Sequence, residues 1–262
     1  MSHQSGGRKI QSVDVSCSII EYLRRVNEGT VSEIAEAVDL SPGSAHTHLA
    51  TLRDYGYVRK SDGTYRLGPE LLTLGEHVRN NDELYRAAKD GIEELAETTG
   101  ESTHLIMEHR GRVLVLYQVF GDDAVGERYH AKKREKSLRH LHCTASGKAL
   151  LAELPRDRIE TIVAEHGMER KTENTITDLD ELLEELDRIR DRGFSITDEE
   201  QTIGCRAVGA SIMRSDGRVA GALSVSGPRS RMRDDRIHGE LAERVIRIAN
   251  VAEVNLNTEQ RA

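Results

Sequence analysis

The sequence predicts an α+β chain of two unequal parts, and three observations carry that prediction. Residues 30–67, TVSEIAEAVDLSPGSAHTHLATLRDYGYVRKSDGTYRL, hold two short capped helical stretches followed by a hairpin signal. Gly68-Pro69 and the polar joint Asn80-Asn81-Asp82 interrupt the chain on either side of one more helical stretch. Beyond that joint, apolar hairpins alternate with amphipathic helices, the pattern of a mixed domain.

Residues 1–9 read as a disordered tail, and residues 13–26 as a supporting helix with Val15, Ile19, Ile20, Leu23 and Val26 on one face. Thr30 with Glu33 forms a capping box, followed by Ile34, Ala35 and Val38 at helical spacing. Asp39-Leu40 makes the turn. Ser41 then caps a second helix with Pro42 at its first position, where the missing N–H costs nothing. That helix is expected to bury Ala45, Leu49 and Leu52 and to carry Ser44, His46, Thr47, His48 and Arg53 on its other face. Gly56 ends it. Asp62-Gly63 between 57–60 and 64–67 is a two-residue hairpin turn. Two helices, a tight turn and a hairpin make a winged helix-turn-helix, which places its second helix in the major groove of DNA. Candidate DNA contacts are Ser41, Ser44, Ala45, His46, His48 and Arg53 from the helix, with Arg59, Lys60, Tyr65 and Arg66 from the wing.

Residues 70–79 read as a helix, as do residues from about 83 to a stop at Gly100. Strands are expected at 103–108 and 112–119 around Arg110-Gly111, and at 207–213 and 219–226 around Ser215-Asp216-Gly217. Between them, helices are expected from about 146, over 155–166 and over 178–191, and a last one over 234–255. The domain boundaries follow: 10–68 for the winged helix, 69–81 for a linker helix, and 82–258 for the second domain.

At 262 residues, either part can bury a core. With 37% apolar and 31% charged residues and no apolar run approaching a membrane span, a cytoplasmic globular protein is expected. Three scattered cysteines suit a reducing compartment, not a disulfide framework. Low aromatic content argues against base-stacking single-strand binders. Net charge is −8, and residues 1–80 carry nine Lys/Arg against ten Asp/Glu. A DNA-binding unit usually shows a basic face; here the cations are confined to the places where phosphates would lie, so bulk attraction is modest. Acidity with few lysines suits a salt-adapted cytoplasm and, equally, codon bias.

Three stretches together resemble the IclR family of transcriptional regulators: LSPGSAHTHLATLRDYGYV (40–58), LHCTASGKALLAEL (141–154), and TITDLDELLEELDRIRDRGFSITDEEQTIGCRAVGASI (175–212) with LSVSGPRSRM (223–232) behind it. The resemblance spans nearly the whole chain from about residue 10. It implies a dimerising linker and a C-terminal effector-binding domain related to GAF sensors. It also implies double-stranded operator DNA bound by a homodimer or homotetramer, with repression or activation set by a small organic acid, aromatic acid or sugar-derived metabolite. The pocket it implies is lined by Ala145 and Ser146, the segment 197–207 with Thr197, Asp198, Cys205 and Ala207, and the serines Ser224 and Ser226. Helix-start N–H groups favour an anion there, and hydroxyls two apart on a strand share a face. Many relatives place a cysteine after the arginine of G-x-R-C; here the thiol of Gly204-Cys205-Arg206-Ala207 comes earlier.

Rival readings are weaker. His140-Leu141-His142-Cys143 suggests a metal only if His104 or His109 joins it. Ser146-Gly147-Lys148 lacks the glycine approach of a phosphate loop, and no nucleophile elbow or zinc-protease signature occurs. No catalytic residue, cofactor or metal is therefore expected. An architectural DNA-binding protein would leave most of the chain without a task. The basic run Lys132-Lys133-Arg134 reads as a solvated loop, or as help for an acidic effector.

Overall fold

The computed structural model describes residues 9–125 and 140–259; the N-terminal tail and the Lys132-Lys133-Arg134 run fall essentially outside them. Contacts divide the chain into two compact units, one ending at Arg79 and the other beginning at Asn80.

In the first unit, α1 (Gln11–Val26), α2 (Val31–Ala37) and α3 (Pro42–Asp54) close on a small antiparallel sheet. Its strands are β1 (Gly29–Thr30), β2 (Val58–Ser61) and β3 (Thr64–Leu67), in the order β1-β3-β2. The capping box is complete: the Thr30 hydroxyl accepts from Glu33 N at 3.3 Å, and the Glu33 carboxylate accepts from Thr30 N at 2.7 Å. Asp39 takes a positive φ of 55° between the two helices. The Ser41 hydroxyl accepts from Ser44 N at 3.2 Å to start α3. Asp62 and Gly63, at φ 50° and 82°, make the wing turn with the twist a two-residue hairpin requires. The pairing of β1 with β3 adds a strand that the sequence did not suggest, because two residues carry no alternation. Ile19, Leu23, Ile34, Leu49, Leu52, Val58 and Tyr65 form the core. Helix α4 (Glu70–Asn80) follows with no buried residue; Leu72 and Val78 lie open.

The second unit is built on a five-stranded antiparallel sheet ordered β5-β4-β8-β7-β6. The strands are β4 (Ser102–His109), β5 (Arg112–Phe120), β6 (Ser195–Asp198), β7 (Cys205–Met213) and β8 (Val219–Pro228). Helix α5 (Glu83–Thr99) starts at the cap Asp82 and stops at left-handed Gly100. With the final helix it covers one sheet face, packing Leu84, Ile92, Val245 and Ile248 on Leu105, Val208, Leu223 and Val225. The final helix begins as α9 (Asp234–Arg236), passes through a π-turn over Ile237–Leu241 and continues as α10 (Ala242–Glu259). Helices α6 (Ala145–Ala152), α7 (Arg156–His166) and α8 (Leu179–Arg192) cover the other face around Ile106, Val113 and Ala222. Strand β6 is the element the sequence reading omitted: four residues after Gly193 are too short for a periodic signal.

The segment before α6 buries His142, whose Nε2 lies 3.3 Å from Glu169 O. Burial, then the neighbouring His140, push its imidazole down to about 4. His140 itself lies 3.3 Å from the Glu169 carboxylate. Among the described residues, no group of three or more His, Cys, Asp or Glu side chains could hold a metal ion.

Two stability predictions follow from this packing. Thr30→Ala should cost about 1 kcal/mol in the urea unfolding of the first unit, the typical worth of an N-cap; an unchanged midpoint would remove the box from the ledger. Because folding lowers the His142 pKa, the unfolded chain takes up this proton first, and stability rises with pH. The contribution is complete above the ordinary 6.5 and is lost as pH falls towards about 4. The loss amounts to roughly 3 kcal/mol. His142→Asn should flatten the stability–pH curve over that window in urea titrations, and an unaltered slope would contradict the assignment.

Candidate nucleic-acid interface and ligand cavity

Helix α3 presents Ser41, Ser44, His46, Thr47, Thr51 and Arg53 to solvent, because Ala45, Leu49 and Leu52 occupy the opposite side. Two sequence candidates are corrected here. Ala45 is 0% exposed and Tyr65 1% exposed, both inside the domain core, so neither side chain reaches a DNA surface. Ala45 follows the apolar stripe of α3, and Tyr65 faces inward because side chains alternate along β3 between its exposed or half-exposed neighbours. His48 is half-buried, with Nδ1 2.9 Å from the Ser16 hydroxyl. That hydroxyl donates to Ser12 O at 3.0 Å, so its single proton is committed and the imidazole donates to it.

On the wing, Arg59, Lys60 and Arg66 are exposed. Arg66 pairs with Glu28, and Lys60 Nζ lies 5.3 Å from the centre of the Tyr65 ring. Arg53 stands 3.9 Å from Asp54. An unopposed basic face is thus absent among these residues; two of the four cations already have a carboxylate beside them. Thr47 and Thr51, the first noted in the sequence only as part of a polar face, spend their hydroxyl protons on Gly43 O at 3.2 Å and Thr47 O at 3.1 Å. They therefore offer methyl groups and acceptor oxygens outward.

In the second unit, a cavity of about 240 Å³ opens on the α6 face of the sheet. Strand register explains its floor. One row of directly paired residues runs Ser102, Ser226, Ala207, Thr197 across four strands. The next row runs Gln118, His104, Ser224, Gly209, Ser195 across all five. Directly paired residues share a sheet face. Ser102, His104, Thr197, Ala207, Ser224 and Ser226 all line the cavity. His104 Nε2 lies 2.9 Å from Gln118 Nε2 at its edge.

The first turn of α6 forms the opposite wall with Thr144, Ala145 and Ser146. It reaches the sheet only because residue 209 is glycine: a Cβ there would stand 2.8 Å from Ala145 C and 2.9 Å from Ser146 N. Gly147 serves a different approach: a Cβ there would meet Leu141 O at 2.2 Å, so glycine lets the segment before α6 fold back against its first turn. Ser195 donates to Ala145 O at 2.6 Å and pins the turn. Thr144 accepts from Gly147 N at 3.1 Å, which leaves the N–H groups of Ala145 and Ser146 without intrahelical partners. Ile106, Val113 and Val125 add apolar lining, and the loop 201–204 completes the rim.

Of the eight pocket residues expected from the sequence, Ala145, Ser146, Thr197, Cys205, Ala207, Ser224 and Ser226 come together here. Asp198 does not. Adjacent to Thr197 on β6, it points to the other face and stands 3.3 Å from Arg206 Nε. Cys205 and Ala207, two apart on β7, share the cavity face, so the shifted thiol still lines it. Sequence reasoning missed Ser102 and His104. The run S-T-H-L-I along β4 does not alternate, because both faces of the sheet are covered, and so it carried no signal of which residues face the cavity. Among the described residues, no Asp, Glu, Lys or Arg lines the cavity.

Comparison with known proteins agrees with this architecture. The IclR helix-turn-helix domain model matches residues 12–62, and the model for the C-terminal domain of bacterial IclR transcriptional regulators matches residues 76–252. A Halobacterium salinarum protein described as a probable HTH-type transcriptional regulator, ArcR, is 38% identical over 252 residues, covering 96% of this chain and 95% of its own. The crystal structure of Thermotoga maritima IclR superposes with a TM-score of 0.72 at 27% identity, covering 95% of this chain and 99% of that one. An IclR homologue from Microbacterium hydrocarbonoxydans, crystallised with 4-hydroxybenzoate, shares the fold with a TM-score of 0.77 at 23% identity, over 94% of this chain and 98% of that one. With both units matched and a relative similar over almost its full length, the chain belongs to the IclR family of DNA-binding transcriptional regulators, a family that is not enzymatic.

Proposed function

We propose that the protein is a cytoplasmic, metabolite-controlled regulator of a catabolic operon. It works as a homodimer or homotetramer, with α3 and the wing on double-stranded operator DNA and a small organic acid in the cavity. The observation that carries this reading is the cavity itself: hydroxyls, an imidazole and two helix-start N–H groups without intrahelical partners converge on a space of about 240 Å³ with no acidic lining among the described residues. N–H groups at a helix start favour an anion, and a few convergent polar groups on an apolar wall set orientation. The aromatic acid in the Microbacterium homologue is a ligand of the same chemical kind. Aromatic and sugar-derived acids both belong to the class that such a lining accepts.

The ligand acts by binding one arrangement of the paired DNA-binding units better than another, and the same free energy then appears in operator affinity. The DNA face carries few free cations, so base contacts from α3 supply a large share of operator recognition. His46 is exposed on α3, and among the described residues no hydrogen bond or ion pair holds its imidazole.

Genome-wide footprinting should give discrete sites beside genes of one pathway; scattered, weakly defined occupancy would favour an architectural role instead. On a mapped operator, His46→Ala should cost roughly 1–3 kcal/mol and relax base preference at one position; undiminished affinity would remove it from the readout. Ser224→Ala/Ser226→Ala should abolish the shift in operator affinity produced by small carboxylates, 4-hydroxybenzoate among them. The variant should keep the DNA affinity of the ligand-free protein, and an intact dose response would sink the cavity assignment.

A further inference from the structure

Lys148 lies in α6 one turn beyond the cavity wall and is 1% exposed, among the most completely buried side chains of the molecule. Its ammonium stands 2.7 Å from Glu200 Oε1 and 3.4 Å from Glu185 Oε1. Glu185 on α8 is held in turn by Arg188 and Arg192, each at 3.0 Å. Burial pushes the Glu200 carboxyl up, against the pull of Lys148. Burial acts on Glu185 in the same sense, but Lys148, Arg188 and Arg192 together hold it below its ordinary value. Such a cluster is a poor way to gain stability, because desolvating the charges consumes most of what their attraction returns. Its location gives it a different use.

Glu200 is the residue immediately before Gln201, Thr202, Ile203 and Gly204, all four of which line the cavity. The loop is closed on itself: Glu199, at φ 59°, accepts from Gly204 N at 2.6 Å, and Cys205 N donates to Thr202 O at 3.1 Å. Its base is clamped from the other side by Thr175, which donates to Glu200 O at 2.6 Å, and by Thr172, which donates to Glu199 O at 2.7 Å. The Lys148–Glu200 pair attaches that base to the helix bearing Ala145 and Ser146, beside the Ser195–Ala145 bond at the start of β6. At the loop base, the buried ammonium of Lys148 thus joins the 201–204 wall to the α6 wall.

We propose that Lys148 is a positioning residue for the ligand cavity: held between Glu200 and Glu185, it fixes the 201–204 wall at a set distance from the first turn of α6. The proposal rests on the cavity reading only for the ligand's presence. It is tested without ligand, so its failure would leave that reading standing.

The test is amide hydrogen exchange on the full-length protein, comparing Lys148→Met, Lys148→Arg and the double variant Lys148→Met/Glu200→Leu. Replacing Lys148 by Met is expected to raise exchange at Gly204 and Cys205 tenfold or more, while the central amides of β7 and β8 keep their protection. Because that change leaves carboxylates buried without their cation, the double variant carries the decision if the single one folds poorly. Removing both charges spares the sheet but still releases the loop, whereas Lys148→Arg keeps the wild-type pattern. An exchange increase spread evenly over β7 and β8, or no increase at Gly204 and Cys205 in either variant lacking the cation, overturns the proposal.

Discussion

The close approach of a helix start to a sheet is the constraint on which the second unit depends. Gly209 gives up a side chain so that Ala145 and Ser146 can sit against β7. Any Cβ at 209 would overlap the helix backbone, and backbone cannot swing aside as a long side chain can. From this contact follow the placement of helix-start N–H groups over the serines, the burial of Lys148, and the enclosure of the cavity. The Ser195 hydroxyl bonded to Ala145 O converts proximity into a fixed register.

The two units use charge differently. In the DNA-binding unit, cations are few, and Arg66 already has a carboxylate partner in Glu28. Attraction to phosphate is long-range but screened within about 10 Å at ordinary salt, so a sparse set places more weight on geometry. In the second unit, charge is drawn inside. Glu101, 1% exposed, takes two bonds of 2.7 Å from Arg231 and one of 3.3 Å from Arg236 beside the end of β8. Lys148 is held likewise at the base of the loop. Such pairs specify one arrangement by making others leave a charge buried and alone.

Much of the first unit was legible because its signals are local. Thr30 with Glu33, Ser41 with Pro42, and Asp62-Gly63 each mark a boundary through bonds or dihedrals spanning three residues or fewer. Tyr65 shows the limit. Ala45 lies on the apolar stripe that the helical spacing already marked, whereas the type of Tyr65 is compatible with a DNA surface and its position on β3 turned it into the core. In the second unit, the cavity wall from α6, β7 and β8 was readable through resemblance to related chains. Ser102 and His104 were not, since a sheet buried on both faces carries no polar alternation to say which face is which.

The sequence by itself determined the caps, the turns, the order of elements and the class of protein, because each is set by short-range stereochemistry or by a pattern shared across a family. Tertiary structure decided which polar residues meet. Ser102 stands opposite Ser226, His104 opposite Ser224, and Lys148 beside Glu200, at separations of 124, 120 and 52 residues in the chain. No local rule encodes such pairings; they exist only once strand register and helix placement bring distant backbone together.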